Sequence, residues 1–550
     1  MLAARLDGNA IDVRLLAAAI AFGLGLAAPG MGSAQDTALP DFGSSAAEMI
    51  DPATERQYGA YVLHELRRMG MVLDDPLVDE WLKAMGYRLA AASGTPRRDF
   101  TFFMLGERDI NAFATLGGYI GVNAGLVLTA EDEAEVAGVV AHEIAHVSQR
   151  HVLRAIERAK KDQVPILLAM VGMIVASQAA ADDNRGRGND DSAANAGAAA
   201  VAGAMGLMQQ RQIDYTRSNE SEADRIGIQT LASAGYDPEG MADFFERMQR
   251  TTRGDSGGYQ LPDYLRSHPV TTTRISEARQ RAGRLARTAP PTTGRVGPPS
   301  NPLLPDAWSL GDSTSGDAGT GEFEWARERL RVLSAVDPGA SVREYRAMER
   351  APDEHGFTDG RAYGLALAQM RAGKPDEAQV GLAALAARHP GHLWIELARA
   401  EAAALSRDFP VADERFDRLL RRHPDNRAVR LTYAQALSER ATADAGRRAQ
   451  DVLRPLLADS AYDPLFQRSF ARASELAGDL VRAGEAYAES AYLNGRAVDA
   501  LNQLEALKGR DDLNYYQRAR IESRIAAITP IVLEMRRQGI DAHEQRPDTL

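Results

Sequence analysis

The stretch Val140-Ala-His-Glu-Ile-Ala-His-Val-Ser-Gln-Arg150 places two histidines four residues apart, with a glutamate directly after the first. It does so on a mostly apolar segment, in a chain with only ten histidines among 550 residues. On an α-helix, residues i and i+4 project from one face, so His142 and His146 can bind one metal ion. Glu143 is rotated off that face, yet close enough to hold a water beside the ion and take its proton. Cysteine is absent altogether, so any metal must be held by His, Asp or Glu. The alternative is a pair of ordinary histidines. A third ligand decides between the two.

The nearest candidate fails. A metzincin pattern needs a glycine three residues and a histidine six residues after the second ligand, where this chain has Gln149 and Val152. His151 lies five residues on, well around a continuous helix, and reads as a surface or capping residue. A better candidate is Ser218-Asn-Glu-Ser-Glu-Ala-Asp-Arg225. There Glu220 and Asp224 share a helix face, so one can ligate zinc while the other accepts a hydrogen bond from a ligand histidine. An exposed acidic helix start is the plainer reading of that segment taken alone. Glu222 points elsewhere and reads as a surface or ion-pair residue.

Working outward, residues 51–93 read as helical. Asp75 can cap a helix with Pro76 in its first turn, and Val78, Trp81, Leu82, Met85 and Leu89 follow at helical spacing. Phe100 to Leu105 and Tyr119 to Val122 read as short strands, and a helix over Glu131 to His151 carries the opening motif. Residues 286–324 are rich in Pro, Gly and Ser and read as a linker in which little apolar surface can be buried. Beyond it the chain is Ala-, Leu- and Arg-rich. Arg388-His-Pro390 recurs as Arg422-His-Pro424, 34 residues later. Ala412 and Phe416 lie between, and Ala483 and Tyr487 repeat the same offset. A 34-residue helix-turn-helix unit with these features resembles a tetratricopeptide repeat. Gly373 and Gly478 fall at the turns between the helices of a pair. The expected repeat region covers 325–530, with a tail at 531–550.

The N-terminus reads as an export signal over 1–34: apolar from Leu15 to Ala28, with Gly32-Ser33-Ala34 as a cleavage site. The net charge of −12 argues against nucleic acid as a partner. Within an expected protease domain at 41–285, two uncharged stretches in 164–210 read as a helical hairpin. It would lie over the active site as a lid or touch the membrane surface; a membrane span is the second reading.

Taken together, NAFATLGGYIGVNAGLV before AHEIAHVSQRH, then NESEADRIG, then LRSHPVTTTRISEAR resemble the HtpX-like gluzincin metalloproteases. Within that family the likeness is to the periplasmic type that joins the protease to C-terminal tetratricopeptide repeats. The resemblance implies an α+β zincin-like metalloprotease domain, mostly helical with a small sheet, followed by an all-α tetratricopeptide-repeat solenoid. It implies one Zn2+ per chain held by His142, His146 and Glu220, with Glu143 catalytic and Asp224 behind the ligands. It gives His268 a place as well, either occupying the fourth zinc position in a latent state or steadying the oxyanion; alone, His268 before Pro269 is a loop histidine. A strand opening at Gly117, Gly118 and Tyr119 could pair with an extended substrate, or be an ordinary internal strand. The expected function is an exported, periplasmic endopeptidase. It would act on unfolded or misassembled envelope proteins, with repeats that bind the envelope assembly machinery. The alternative is a chaperone or adaptor built on a latent protease domain.

Overall fold

The computed structural model describes residues 51–94, 99–158, 215–254, 263–288, 319–352 and 356–537. The expected signal peptide, the 164–210 hairpin, residues 289–318 of the linker and residues 538–550 of the tail lie outside them. No helix among the described residues is long and apolar enough to cross a membrane.

The centre of the N-terminal half is the helix Glu133–Ser148, capped by Asp132, whose side chain accepts from Glu135 N. All its residues except His146 and Ser148 are buried. A helix enclosed on every side needs no polar stripe, which is why the motif segment reads as almost uniformly apolar. One wall is the helix Pro76–Ala92, capped by Asp75, with Val78, Trp81, Leu82, Met85 and Leu89 in the core. Another is a three-stranded sheet of β1 (Thr101–Leu105), β2 (Ala112–Ala114) and β3 (Tyr119–Asn123), in the order β1-β3-β2. β3 runs parallel to β1 and antiparallel to β2. The helix Gly240–Gly254 closes the far side.

From Phe323 to Arg537 the described secondary structure is helical, and most helices pack chiefly on their sequence neighbours, whereas Phe323–Leu333 packs on Asp359–Arg371. The 34-residue spacing recurs in three dimensions. Helices Pro375–Arg388 and Phe409–Arg422 both end on a histidine, His389 and His423, whose N–H returns to Leu385 and Leu419 respectively. Ala378 and Leu382 in one, and Ala412 and Phe416 in the other, fill equivalent core positions. Gly373 and Gly478 make the turns in the left-handed region, with φ of 74° and 84°, where a side chain is disfavoured.

The end of the expected linker and the helix that follows it are docked on the N-terminal half. The helix Phe323–Leu333 begins inside the presumed linker and packs on Pro76–Ala92 and Ala124–Thr129, with Phe323 against Trp81. Just before it, Thr320 donates from its backbone N and Oγ1 to the buried Glu133 carboxylate at 2.5–3.0 Å. Glu80 acts as a cap in trans: its carboxylate accepts from Ala428 N at 3.0 Å and Asn426 Nδ2 at 3.2 Å, at the start of the helix Arg427–Ser438. Acidic residues that resemble a solvated helix start are the docking face. Both halves share one hydrophobic core.

Candidate metal centre

Helical residues 215–233 bring Glu220, Asp224 and Gly227 to one face at i, i+4 and i+7. Gly227 is where that helix meets the motif helix. A Cβ there would lie 3.1 Å from His142 N and 2.8 Å from Met241 Cε, so a larger residue would push the two helices apart or displace Met241. That contact sets Glu220 and Asp224 beside the histidines.

Four donors then converge. One ligand-type atom each from His142, His146, Glu220 and His268 lies within 4.8 Å of all the others. His142 Nε2 and His146 Nε2 are 2.9 Å apart. Glu220 Oε2 is 3.4 Å from the first and its Oε1 3.4 Å from the second. His268 Nδ1 is 3.0 Å from both Glu220 oxygens. Tetrahedral zinc with Zn–N near 2.0–2.1 Å spaces its donors about 3.3 Å apart, so these separations and this nitrogen–oxygen set fit that ion. Glu143 is 1% exposed, and its Oε1 has no hydrogen-bond partner among the described residues. That oxygen lies 3.7 Å from His268 Nε2. The Ala114 backbone N–H, from β2, faces the same carboxylate and works to lower its pKa.

The electrostatics follow from burial and crowding. Burial pushes the Glu143 carboxyl up, against the attraction of His268 and His142. Burial, reinforced by His142, drives His146 well down, which favours a neutral imidazole able to ligate. For Glu220 burial works upward but is outweighed by His268, His142 and His146, which hold it well below the usual range and ionised. Burial also opposes charge on His142, yet Asp224 and Glu220 push it up to about 9. Asp224 Oδ1 is 3.0 Å from His142 Nδ1, the nitrogen turned away from the other donors.

Three contributors escaped the sequence reading. Arg274 binds both Asp224 oxygens at 2.8 Å and approaches Glu220 Oε2 at 3.0 Å, holding the two carboxylates in register. Its signal was the arginine six residues after His268, in a segment already singled out. Tyr264 is fully buried with its ring 4.8 Å from that of His268. His151 is only 3% exposed and touches His146, so the surface or capping reading fails. Glu222 is an ion-pair residue, 2.7 Å from Arg154.

Gly117, Gly118 and Tyr119 need correcting as a substrate strand. Tyr119 opens β3, which is paired on both sides, and Thr115 N donates to Tyr119 O across the turn. Gly117 and Gly118 make that turn at φ of 75° and 83°. Among the described residues the far edge of β2 pairs with no further strand.

A buried HExxH helix, a carboxylate supplied from a second helix and an adjacent edge strand define a metalloprotease site. Residues 76–282 match peptidase family M48. It is 29% identical over 508 residues to the beta-barrel assembly-enhancing protease of Escherichia coli O157:H7, covering 91% of this chain and 93% of that protein. A putative beta-barrel assembly-enhancing protease of Vibrio cholerae is 40% identical over 244 residues, 44% of this chain and 47% of that one. The mitochondrial metalloendopeptidase OMA1 of Arabidopsis thaliana is 29% identical over 198 residues, 36% of this chain and 35% of its own.

Proposed function

We propose that this chain is an exported zinc endopeptidase of the periplasm that cleaves unfolded or misassembled envelope proteins. The observation that carries the reading is the convergence of His142, His146, Glu220 and His268 within 4.8 Å, beside the buried Glu143. Zinc held by His142, His146 and Glu220 would supply Lewis acidity to the scissile carbonyl and lower the pKa of water. Glu143 takes the proton from the attacking water and passes it to the departing amine; burial, which raises its pKa, suits both transfers. An extended substrate adds to the far edge of β2 through backbone hydrogen bonds, which ignore sequence and suit unfolded chains. The Ala114 N–H that faces Glu143 belongs to that strand.

The C-terminal helices act as a tetratricopeptide-type solenoid that selects partners without contributing chemistry. The 34-residue recurrence of helix ends and core positions supports this. The named activity of the Escherichia coli relative, which aligns along nearly its whole length, supports a role in outer-membrane protein assembly and quality control. Glu143→Gln removes the base while leaving the proposed ligands, so it should abolish casein cleavage. Equal cleavage by both forms would refute the mechanism. A second reading, a chaperone or adaptor on a latent protease domain, draws on the place of His268 among the donors. Under it, the wild type leaves casein intact.

A further inference from the structure

We propose that His151 and Glu222 form a hydrogen-bonded relay that orients His146 at the metal centre, an inference that rests on reading His146 as a ligand. A neutral imidazole that ligates through Nε2 carries its one proton on Nδ1 and needs an acceptor there. For His142 the carboxylate in reach is Asp224, whose Oδ1 lies 3.0 Å from Nδ1. For His146 the atom in reach is a second imidazole: His151 Nδ1, at 2.8 Å.

That contact fixes every proton along the line. His146 Nδ1–H donates, so His151 Nδ1 accepts and His151 carries its own proton on Nε2. His151 Nε2 faces Glu222 Oε2 at 3.2 Å, and Arg154 Nη2 anchors the same oxygen at 2.7 Å. The two histidines of the motif are thus served by carboxylates from one helix, His142 directly by Asp224 and His146 through His151 by Glu222. His151 is a positioning residue: its hydrogen bond sets the plane of the His146 ring and makes Nε2 a better donor.

The local backbone explains how a residue five positions on reaches back. In an unbroken helix it would sit about 140° around from His146. Here the helix stops at Ser148, and Arg150 takes φ of 54°, a left-handed conformation disfavoured for a residue with a side chain. An ion pair with Glu55 ties Arg150 down. Residues 151–158 then restart as helix with His151 turned in beneath His146. Strain of this kind persists where neighbouring contacts hold it, typically at functional sites.

The test is zinc affinity, measured by competition with a chromophoric chelator, alongside the thermal stability of the metal-free forms. His151→Ala should weaken affinity about 10- to 100-fold, and Glu222→Ala by less, about 3- to 10-fold. The double variant should match His151→Ala alone, because Glu222 acts only through that ring. His151→Gln, whose amide can accept from His146 and donate to Glu222, should recover most of the loss. Affinities within twofold of wild type in both single variants would overturn the relay, as would fully multiplicative losses in the double. If His151→Ala does not fold, Glu222→Ala and His151→Gln decide by the same criteria. Wild type that binds no zinc would instead overturn the ligand reading, and the relay with it.

Discussion

Arg329, in the first helix after the linker, donates from Nε and Nη2 to both carboxylate oxygens of Asp75 at 2.7–2.9 Å. Asp75 is also the residue that caps the helix Pro76–Ala92, through Val78 N. One buried ion pair therefore joins the start of a protease-half helix to the C-terminal helices, and Tyr363 takes a further hydrogen bond from Arg329 at 3.3 Å.

Removing one partner of a buried pair leaves the other charge uncompensated. Arg329→Leu should cost about 3–5 kcal/mol in denaturant unfolding. Adding Asp75→Asn, which keeps the cap and removes the orphaned charge, should restore much of that loss. Additive costs in the double variant would mean that the pair does not couple the halves.

Residues 51–288 and 319–550, expressed as separate chains, should associate. The Arg329–Asp75 pair, the Glu80 cap on Ala428 and the Thr320 bonds to Glu133 all survive the division. Glu80→Ala with Arg329→Leu should weaken the complex at least tenfold by calorimetry. Fragments that elute independently, each folded, would contradict the docked arrangement.

Asp79 lies on the same face, 3.8 Å from Arg427 and 3.7 Å from Lys83. Burial pushes its carboxyl up to about 6 against the pull of both cations. A folded-state value above the unfolded one means that the folded chain holds this proton more tightly. The stability it contributes is present below about pH 4 and is lost as pH rises through 6. Asp79→Asn should therefore be nearly neutral at pH 4 and stabilising by about 2–3 kcal/mol at pH 8. A constant difference across that range would contradict it.

Periodicity made some of this legible and geometry hid the rest. The i, i+4 pairs His142/His146 and Glu220/Asp224 are face-sharing patterns readable from any helical sequence, and the structure sets them against each other at Gly227. The buried stripe from Val78 to Leu89 was equally plain. What spacing could not show was the break at Arg150, because a left-handed arginine is disfavoured locally and held by a partner 95 residues away. Asp75, Asp79 and Glu80 carry the composition of a solvated first turn; only the arrival of Arg329, Arg427 and Ala428 makes them an interface. Strand order was hidden likewise. β3 is central because β1 reaches it from before the β2–β3 hairpin.

His268 sits among the donors, 3.0 Å from Glu220. If it holds the fourth position in the resting enzyme, His268→Ala should raise casein turnover or self-cleavage several-fold, since an open position is what a catalytic site requires. Reduced turnover would place it with the transition state instead. Unchanged turnover would make it a structural loop residue.

Under the proposed mechanism His142, His146 and Glu220 hold zinc while Glu143 does chemistry without holding it. Metal content of the purified protein by mass spectrometry tests this most directly. Wild type and Glu143→Gln should each carry one zinc per chain, and Glu220→Ala well below one after dialysis against a chelator. Wild type without stoichiometric zinc, or Glu220→Ala retaining it as firmly as wild type, would rule out His142, His146 and Glu220 as the ligand set.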